Sequence, residues 1–234
     1  MSGKSLTPSA SHLFDVPFFT ANLDDAVDRL GLLDSLRYIR EHDASETKLD
    51  YRVGLSNTGW HSTQWTEDTA PKQVGSLIPV FRQMLHQAIE CLLEEHLGKD
   101  TRVIEFLDGE MTLWAVINGD GDINLRHVHV SPYRDTWSMV YYVDVPEDLN
   151  GGQIRFFNPN LAYRCSIGST LARYGAATIQ KTIAPRSGDL FIFPGWLEHD
   201  VLPFWGRHER TVLAANIGIR SLQLSRAKIK PKEA

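Results

Sequence analysis

Three histidines and one arginine in the second half of the chain have the types and spacing of a metal site beside an anion site. His127 and His129 stand two residues apart, His199 lies far downstream, and Arg210 follows it by about one strand's length. Residues two apart on an extended strand point to the same face, so the first pair can hold one ion together. The third imidazole must then come from a neighbouring strand. This layout predicts a mononuclear metal centre with an arginine-bound anion close to it.

The ligand types narrow the metal and its chemistry. Imidazoles suit iron, zinc, copper or nickel, whereas the two cysteines, Cys91 and Cys165, lack the spacing of a thiolate site. An ion held by three protein groups keeps open positions for water, substrate or dioxygen. An arginine buried in a barrel needs an anion, and its planar guanidinium matches a carboxylate. These residues predict a non-haem iron enzyme with a small dicarboxylate cosubstrate.

Each of these residues also has an ordinary structural interpretation. A His-x-His pair is most often packed in a core or exposed on a surface, and Arg210 could pair with Glu198, Asp200 or Glu209. We expect those carboxylates in exposed loops, which favours a ligand as the partner of Arg210. Tyr141, on the strand after the histidine pair, is a second candidate for binding the carboxylate. Periodicity alone does not separate that role from core packing.

Strands with short turns must position these side chains. From Arg102 to Arg220 the chain has about eight strand-like segments, with turns at 118–122, 150–152 and 186–188. Strands that follow one another without intervening helices predict a mainly β fold. The expected core is a double-stranded β-helix, which is a cupin-like jelly roll.

The N-terminal part has a different pattern. Residues 1–11 are small and polar and predict a disordered tail, and residues 12–19 alternate as an edge strand. Helical patterns begin after Asn22 and at Pro71. Pro79 inside the second pattern predicts either a kink or a break into two helices.

The length and composition suit one globular domain. The chain has 234 residues, of which 42% are hydrophobic. We expect a single domain over residues 12–234, with a helical part at 12–99 and a jelly-roll core at 100–222. The N-terminal helices are expected to pack on one sheet of that core.

Charge and hydropathy argue against several classes of protein. The net charge is -5 and the pI is near 6.0, so the basic field typical of nucleic-acid-binding domains is absent. No apolar run is long enough to span a membrane, and the N-terminus lacks the pattern of a signal peptide. We therefore expect a cytoplasmic protein that acts on a small molecule, without nucleic acid or a membrane as its partner.

The residues around the candidate site resemble the Fe(II)/2-oxoglutarate-dependent oxygenase superfamily, and more narrowly a bacterial and phage group within it. The matching pieces are Trp114, Asn118, Gly121, Asn124–His129, Ser138–Pro146, Gly151–Phe156, Asn158-Pro159 and Pro185–Asn216, with Phe14–Pro17 and Asn57–Ser62 before them. The resemblance implies a double-stranded β-helix core. It also implies Fe(II), 2-oxoglutarate and dioxygen as cofactors.

The resemblance also assigns roles to residues. His127 and His199 would bind iron, and Arg210 would bind the distal carboxylate of 2-oxoglutarate. Tyr141 occupies the position of a tyrosine that prolyl-hydroxylase-like members use for the same carboxylate. The implied reaction couples oxidative decarboxylation of 2-oxoglutarate to oxidation of an unactivated C–H bond, by hydroxylation, desaturation or cyclisation.

Two positions depart from the superfamily pattern. Where an acidic residue usually follows the first histidine by two positions, this chain has His129. The site could therefore be a three-histidine triad, recruit a carboxylate such as Asp135, or leave that position open. We favour the triad, which makes the site one charge more positive than usual. Val212 stands where many members have a serine or another hydroxyl residue, so one contact to the cosubstrate could be lost, or supplied by Thr211 or by another strand.

Two other functions are compatible with these residues. A cupin-like three-histidine iron dioxygenase that does not use 2-oxoglutarate would need the histidines but not Arg210. A non-catalytic binding module of the same fold would bind no metal tightly. For an enzyme, Trp60, Trp137 and Trp196 are candidate walls of the substrate pocket, although buried structural tryptophan is equally compatible with each position.

Overall fold

The computed structural model describes residues 9–14, 16–42, 57–97, 101–107, 109–130, 135–147, 150–160, 179–219 and 221–226. Its helices are α1 (Arg29–His42), α2 (Lys72–Gly75) and α3 (Ile78–Leu97). Its strands are β1 (Ser9–Leu13), β2 (Val16–Asn22), β3 (Trp60–His61), β4 (Thr101–Leu107), β5 (Glu110–Asn118), β6 (Asn124–His127), β7 (Asp135–Asp144), β8 (Asn150–Gly151), β9 (Ile154–Phe157), β10 (Gln180–Ile183), β11 (Asp189–Pro194), β12 (His199–Val201), β13 (Phe204–Trp205), β14 (Arg210–Ile219) and β15 (Ser221–Arg226).

The described strands form two main antiparallel sheets and two short ribbons. The larger sheet has the order β1-β2-β11-β7-β14-β5-β3, and the smaller has the order β10-β9-β12-β6. Strand β13 pairs with β8, and β15 pairs with β4. Chain neighbours are mostly not sheet neighbours, as expected when strands cross between the two sheets of a jelly roll. The prediction of a mainly β fold is confirmed.

The larger sheet is buried on both of its faces. One face packs against the helices, and this outer layer includes Leu36, Phe81, Met84, Leu113, Met139, Tyr141 and Leu213. The other face packs toward the smaller sheet, and this inner layer includes Phe18, Val116, Tyr142, Phe156, Phe191, Phe193 and Val212. Successive side chains of a strand therefore enter two different apolar layers. The inner layer is the one that surrounds the candidate site.

The N-terminal part contributes strands as well as helices, and the strand predicted at residues 12–19 falls on the paired strands β1 and β2. Strand β1 pairs with β2, with Ser9 opposite Thr20 and Leu13 opposite Val16. Residues 9–11, predicted as part of a disordered tail, therefore lie in an edge strand, and residues 1–8 lie outside the described residues. Pairing with β2 satisfies backbone N–H and C=O groups of this segment.

The proline in the second helical pattern separates two helices. Helix α2 ends at Gly75 and α3 begins at Ile78, so Pro79 lies in the first turn of α3. Its missing N–H breaks no helical hydrogen bond at that position. None of the helices in the described part of the chain combines the length and the apolar character needed to cross a membrane.

Candidate metal centre

The three predicted metal ligands come together between the two sheets. His127 ends β6, His199 begins β12, and the two residues are directly opposite in the antiparallel register. The backbone N–H of His129 donates to the carbonyl of Gly195 at 2.7 Å, which holds this residue beside the turn that precedes His199. One ring nitrogen from each histidine lies within 4.8 Å of the others. That separation suits three donors around one ion.

Two of the imidazole rings are oriented by the same local hydrogen bond. Nδ1 of His127 lies against the carbonyl of Leu125, and Nδ1 of His199 lies 2.8 Å from the carbonyl of Leu197. Because a carbonyl can only accept, each Nδ1 must carry the proton and donate it. The Nε2 atoms then keep their lone pairs for a metal, which is how protein metal sites commonly fix histidine ligands.

Burial keeps two of the three candidate ligands, His129 and His199, in the neutral form that binds metals. The pKa of His199 is lowered to about 3, chiefly by burial and also by the neighbouring His127, while the hydrogen bond to the Leu197 carbonyl opposes the change. Burial and the neighbouring His127 lower the pKa of His129 to about 4. Protonation therefore competes weakly with a divalent cation near neutral pH.

Aromatic side chains surround the histidines. The Trp114 ring centroid lies 5.6 Å from that of His129, and the Phe193 and Phe156 centroids lie 5.0 Å and 6.0 Å from that of His199. These rings exclude water from the inner side of the cluster and lower the local polarity. Such an environment strengthens electrostatic interactions with a bound ion.

Arg210 is a buried cation that lacks an anionic partner among the described residues. Its side chain is 1% exposed, and its Nη1 donates to Oδ1 of Asn118 at 2.9 Å. Its Nε has no hydrogen-bond partner, and burial lowers the pKa of the guanidinium. Arg210, the first residue of β14, thus has a donor inside the barrel that is shielded from water and unpaired. Binding of an external carboxylate would remove the cost of leaving it unpaired.

Two of the carboxylates considered as partners of Arg210 are paired elsewhere. Asp200 binds Arg155, with Nη2 to Oδ2 at 2.6 Å, and Glu209 binds Arg40 with Nη1 to Oε1 at 2.5 Å. Asp200 is also buried on β12, so the expectation that it lies in an exposed loop was wrong. An internal salt bridge to either residue does not account for the burial of Arg210.

The tyrosine beside Arg210 is Tyr142, which corrects the assignment to Tyr141. The ring centroid of Tyr142 lies 5.1 Å from Cζ of Arg210, in the inner layer. Tyr141 lies in the outer layer against Phe81, on the opposite face of β7. The Tyr142 hydroxyl is buried without a hydrogen-bond partner, and burial raises its pKa to about 12. It therefore remains a protonated donor near the guanidinium.

Of the three tryptophans proposed to line the substrate pocket, two face away from the histidines. Trp60 and Trp137 both pack against the outer layer, and Trp137 contacts Phe19. This corrects their assignment as pocket walls, because outer-layer side chains lie across the sheet from the site. Trp196 is 49% exposed and follows Gly195, the residue that holds His129. The tryptophan that contacts the cluster is Trp114.

A fourth histidine lies near the site without any signal in its spacing. His61 on β3 pairs opposite Val116, an inner-layer residue, and its Nε2 lies 3.2 Å from Nδ2 of Asn124. Burial lowers its pKa. The motif Asn57–Ser62 was the only sequence feature that could have indicated it. Asp135, the alternative third ligand, has a side chain outside the described residues.

Comparison with known proteins identifies the family of this region. A family model described as "Putative 2OG-Fe(II) oxygenase" matches residues 112–216, which contain the three clustered histidines and Arg210. This part of the chain belongs to the Fe(II)/2-oxoglutarate oxygenase superfamily. A match over these residues indicates the chemistry of Fe(II)/2-oxoglutarate-dependent dioxygenases, a family whose cofactors are Fe(II), 2-oxoglutarate and dioxygen.

Solved structures share the fold of this chain. A prolyl-4-hydroxylase from Pseudomonas putida is 15% identical, with a TM-score of 0.51 over 93% of this chain and 95% of that chain. A prolyl hydroxylase from Trichoplax adhaerens, solved with a peptide fragment of the hypoxia inducible factor oxygen degradation domain, is 14% identical, with a TM-score of 0.52 over 86% and 83% of the two chains. These likenesses confirm the predicted jelly-roll fold. The curated proteins include no significant match.

Proposed function

We propose that this oxygenase holds Fe(II) through His127, His129 and His199 and binds the distal carboxylate of 2-oxoglutarate at Arg210. The observation that carries the proposal is the buried guanidinium with its unpartnered Nε. A desolvated charge without an anion is costly, so a residue of this kind is most stable when a ligand supplies the anion. A dicarboxylate that chelates a metal at its other end meets both requirements.

In this proposal the residues of the chain bind the metal and the cosubstrate, orient the histidine ligands and shield the site from water. When bound, Fe(II), 2-oxoglutarate and dioxygen supply the oxidising chemistry for an unactivated C–H bond. The carbonyls of Leu125 and Leu197 fix the tautomers of two histidines, so that Nε2 of each can bind the metal. The Tyr142 hydroxyl is proposed to donate to the carboxylate that Arg210 binds, since it is buried beside the guanidinium.

The third ligand is proposed to be His129 rather than a carboxylate. One ring nitrogen of His129 lies within 4.8 Å of a ring nitrogen of His127 and of one of His199. Three neutral ligands do not compensate the positive charge of the metal. That charge and the charge of Arg210 together complement a dianion such as 2-oxoglutarate.

We propose that the substrate is a small molecule with an apolar part, oxidised by hydroxylation, desaturation or cyclisation. The support is the surface next to the histidines in the chain, where large apolar side chains are exposed. Val128 is 42% exposed, Val130 65% and Trp196 49%. A ligand can bury such side chains at the entrance, which is the commonest source of affinity in small-molecule sites.

Visible absorption under anaerobic conditions tests the cosubstrate part of this proposal. The metal-free protein is titrated with Fe(II) and then with 2-oxoglutarate, and a charge-transfer band is expected only when both are present. His199→Ala is expected to lose Fe(II) binding, while Arg210→Ala should keep Fe(II) and lose the band at low 2-oxoglutarate. Fe(II) binding without any band in the wild-type protein would favour a three-histidine dioxygenase that does not use 2-oxoglutarate. No Fe(II) binding would contradict both enzyme functions.

Oxygen consumption tests the substrate class. Apolar small molecules and short peptides are added separately to the Fe(II)- and 2-oxoglutarate-loaded enzyme, and the rate of oxygen uptake is followed. Small apolar compounds are expected to stimulate uptake, and Trp196→Ala should raise the concentration required without changing the affinity for 2-oxoglutarate. Stimulation by peptides alone would overturn the small-molecule proposal.

A further inference from the structure

We propose that Asn118 is the positioning residue of the cosubstrate site, and this inference rests on the function proposed for Arg210. Asn118 is the last residue of β5, and it stands directly opposite Arg210 in the register with β14. Its side chain is 1% exposed, and its Oδ1 accepts from Nη1 of Arg210 at 2.9 Å. Asn118 thereby fixes the guanidinium plane within the barrel before any ligand arrives.

The neutrality of Asn118 matters as much as its position. An amide oxygen can orient a guanidinium without cancelling its charge, whereas an aspartate at the same place would form a buried ion pair. Asn118 accepts a hydrogen bond from Nη1 of the Arg210 guanidinium and leaves Nε of that group without a partner. The arrangement therefore keeps both a full positive charge and a free donor for an incoming carboxylate.

Asn118 also ties the arginine to the strand that carries His127. Its Nδ2 donates to the carbonyl of Thr58 at 3.4 Å. The Thr58 N–H donates to the carbonyl of Ile123 at 2.9 Å, and its hydroxyl accepts from the N–H of Ile123 at 2.8 Å. Oδ1 of Asn57 accepts from the N–H of Leu125 at 2.7 Å.

This chain of contacts crosses from the larger sheet to the free edge of the smaller one. Strand β6 is the last strand of the smaller sheet as described, so residues 57 and 58 satisfy backbone groups that none of the described strands pairs. The segment thus fixes the separation between Arg210 and the metal ligand His127. We infer that Asn118 makes the site selective for a 2-oxo acid whose distal carboxylate reaches Arg210.

The test compares two 2-oxo acids in Asn118 variants. Under anaerobic conditions, Fe(II)-loaded protein is titrated with 2-oxoglutarate and with 2-oxobutyrate, which can chelate iron but has no distal carboxylate. The wild-type protein is expected to prefer 2-oxoglutarate. Asn118→Asp should weaken 2-oxoglutarate binding by at least about tenfold, because its carboxylate occupies the guanidinium, and should leave 2-oxobutyrate binding unchanged. Asn118→Ala should weaken 2-oxoglutarate binding less.

A matched control separates positioning from general damage to the barrel. Asn216 lies on β14, the strand of Arg210, and accepts from the Ser138 hydroxyl at 2.8 Å, so Asn216→Asp makes the same chemical change away from the guanidinium. It should not alter the preference between the two acids. The ratio of the two affinities is independent of the folded fraction, and Fe(II) affinity should be the same in all variants.

The possible outcomes keep the two proposals apart. A wild-type protein that binds 2-oxobutyrate as tightly as 2-oxoglutarate would contradict the carboxylate site at Arg210 itself. A wild-type preference that persists in both Asn118 variants would overturn the positioning role alone. A loss of preference that is equal in Asn216→Asp would also overturn it, since any added carboxylate would then have the same effect.

Discussion

At the scale of single residues, charge decides what the site can hold. The pKa of His199 is lowered to about 3 and that of His129 to about 4, so both imidazoles are neutral donors at pH 7. Arg210 is buried in the inner layer beside Tyr142 and carries a positive charge. Positive charge at the loaded site therefore comes from the metal and from Arg210, which favours a ligand with an anionic group at each end.

Replacing Arg210 by lysine tests whether charge alone is sufficient. Lysine keeps the positive charge but lacks the planar fork that can bind Asn118 and a carboxylate together. We expect Arg210→Lys to weaken 2-oxoglutarate binding by at least about tenfold while Fe(II) affinity stays the same. Anaerobic titration of Arg210→Lys with Fe(II) and 2-oxoglutarate measures the two affinities, and the exposed Arg207→Lys serves as the control. Equal affinity in Arg210→Lys would show that the fork geometry is unimportant.

Substitutions of His129 test the identity of the third ligand. His129→Ala should lower the affinity for Fe(II) or Co(II) by at least about tenfold, because a donor is lost from the set of three. His129→Asp should restore binding, since a carboxylate at this position is also a ligand for these metals. Calorimetric titration with Co(II) measures both, and the exposed His208→Ala serves as the control. Tight binding by His129→Ala would leave Asp135 or an open position as the better interpretation.

At the scale of elements, the sequence indicated which strands carry the site but not which face of β7 points inward. His127, His129 and Arg210 could be selected because type and spacing reveal a ligand set without knowledge of the faces. Tyr141 and Tyr142 are neighbours, and both are fully buried, one in each apolar layer. A sheet covered on both faces lacks the apolar–polar alternation that would identify its inner side.

The turn between β11 and β12 is a second element on which the site depends. A Cβ at Gly195 would lie 2.3 Å from the carbonyl oxygen of His129 and 3.0 Å from that of Thr136, and backbone atoms there cannot move aside. We expect Gly195→Ala to lower the free energy of unfolding by about 1–3 kcal/mol and to weaken metal binding, because it displaces His129.

Thermal unfolding and Co(II) titration of this variant can be compared with Gly75→Ala. In that control the nearest atom to the added Cβ is 3.7 Å away, which is an ordinary contact. Alanine is also the better helix former, so Gly75→Ala should be neutral or slightly stabilising. If the two variants behave alike, the close approach at Gly195 does not constrain the metal centre.

At the scale of the whole molecule, helices, larger sheet and smaller sheet form successive layers, and the site lies between the sheets. Strand patterns and turns predicted this jelly roll, because hydrophobic runs separated by glycine-rich turns are local features. The role of Asn57–His61 was not predictable in the same way. This segment joins the edges of both sheets through contacts to Ile117, Ile123 and Leu125, and such pairing over a long sequence separation has no local signature.

The stability of the metal-free protein should depend on pH because the imidazoles of His199 and His129 have lowered pKa values in the folded state. The folded pKa of His199, about 3, lies below the ordinary value of 6.5, so between these values the unfolded chain binds more protons than the folded one. The neutral histidines therefore contribute stability that is present in full above pH 6.5 and is lost as the pH falls toward 3. We expect the Tm of the apoprotein to fall from pH 7.5 to pH 5.5. His199→Gln, which cannot be protonated there, should show a smaller fall, and an equal fall in both proteins would place the titrating group elsewhere.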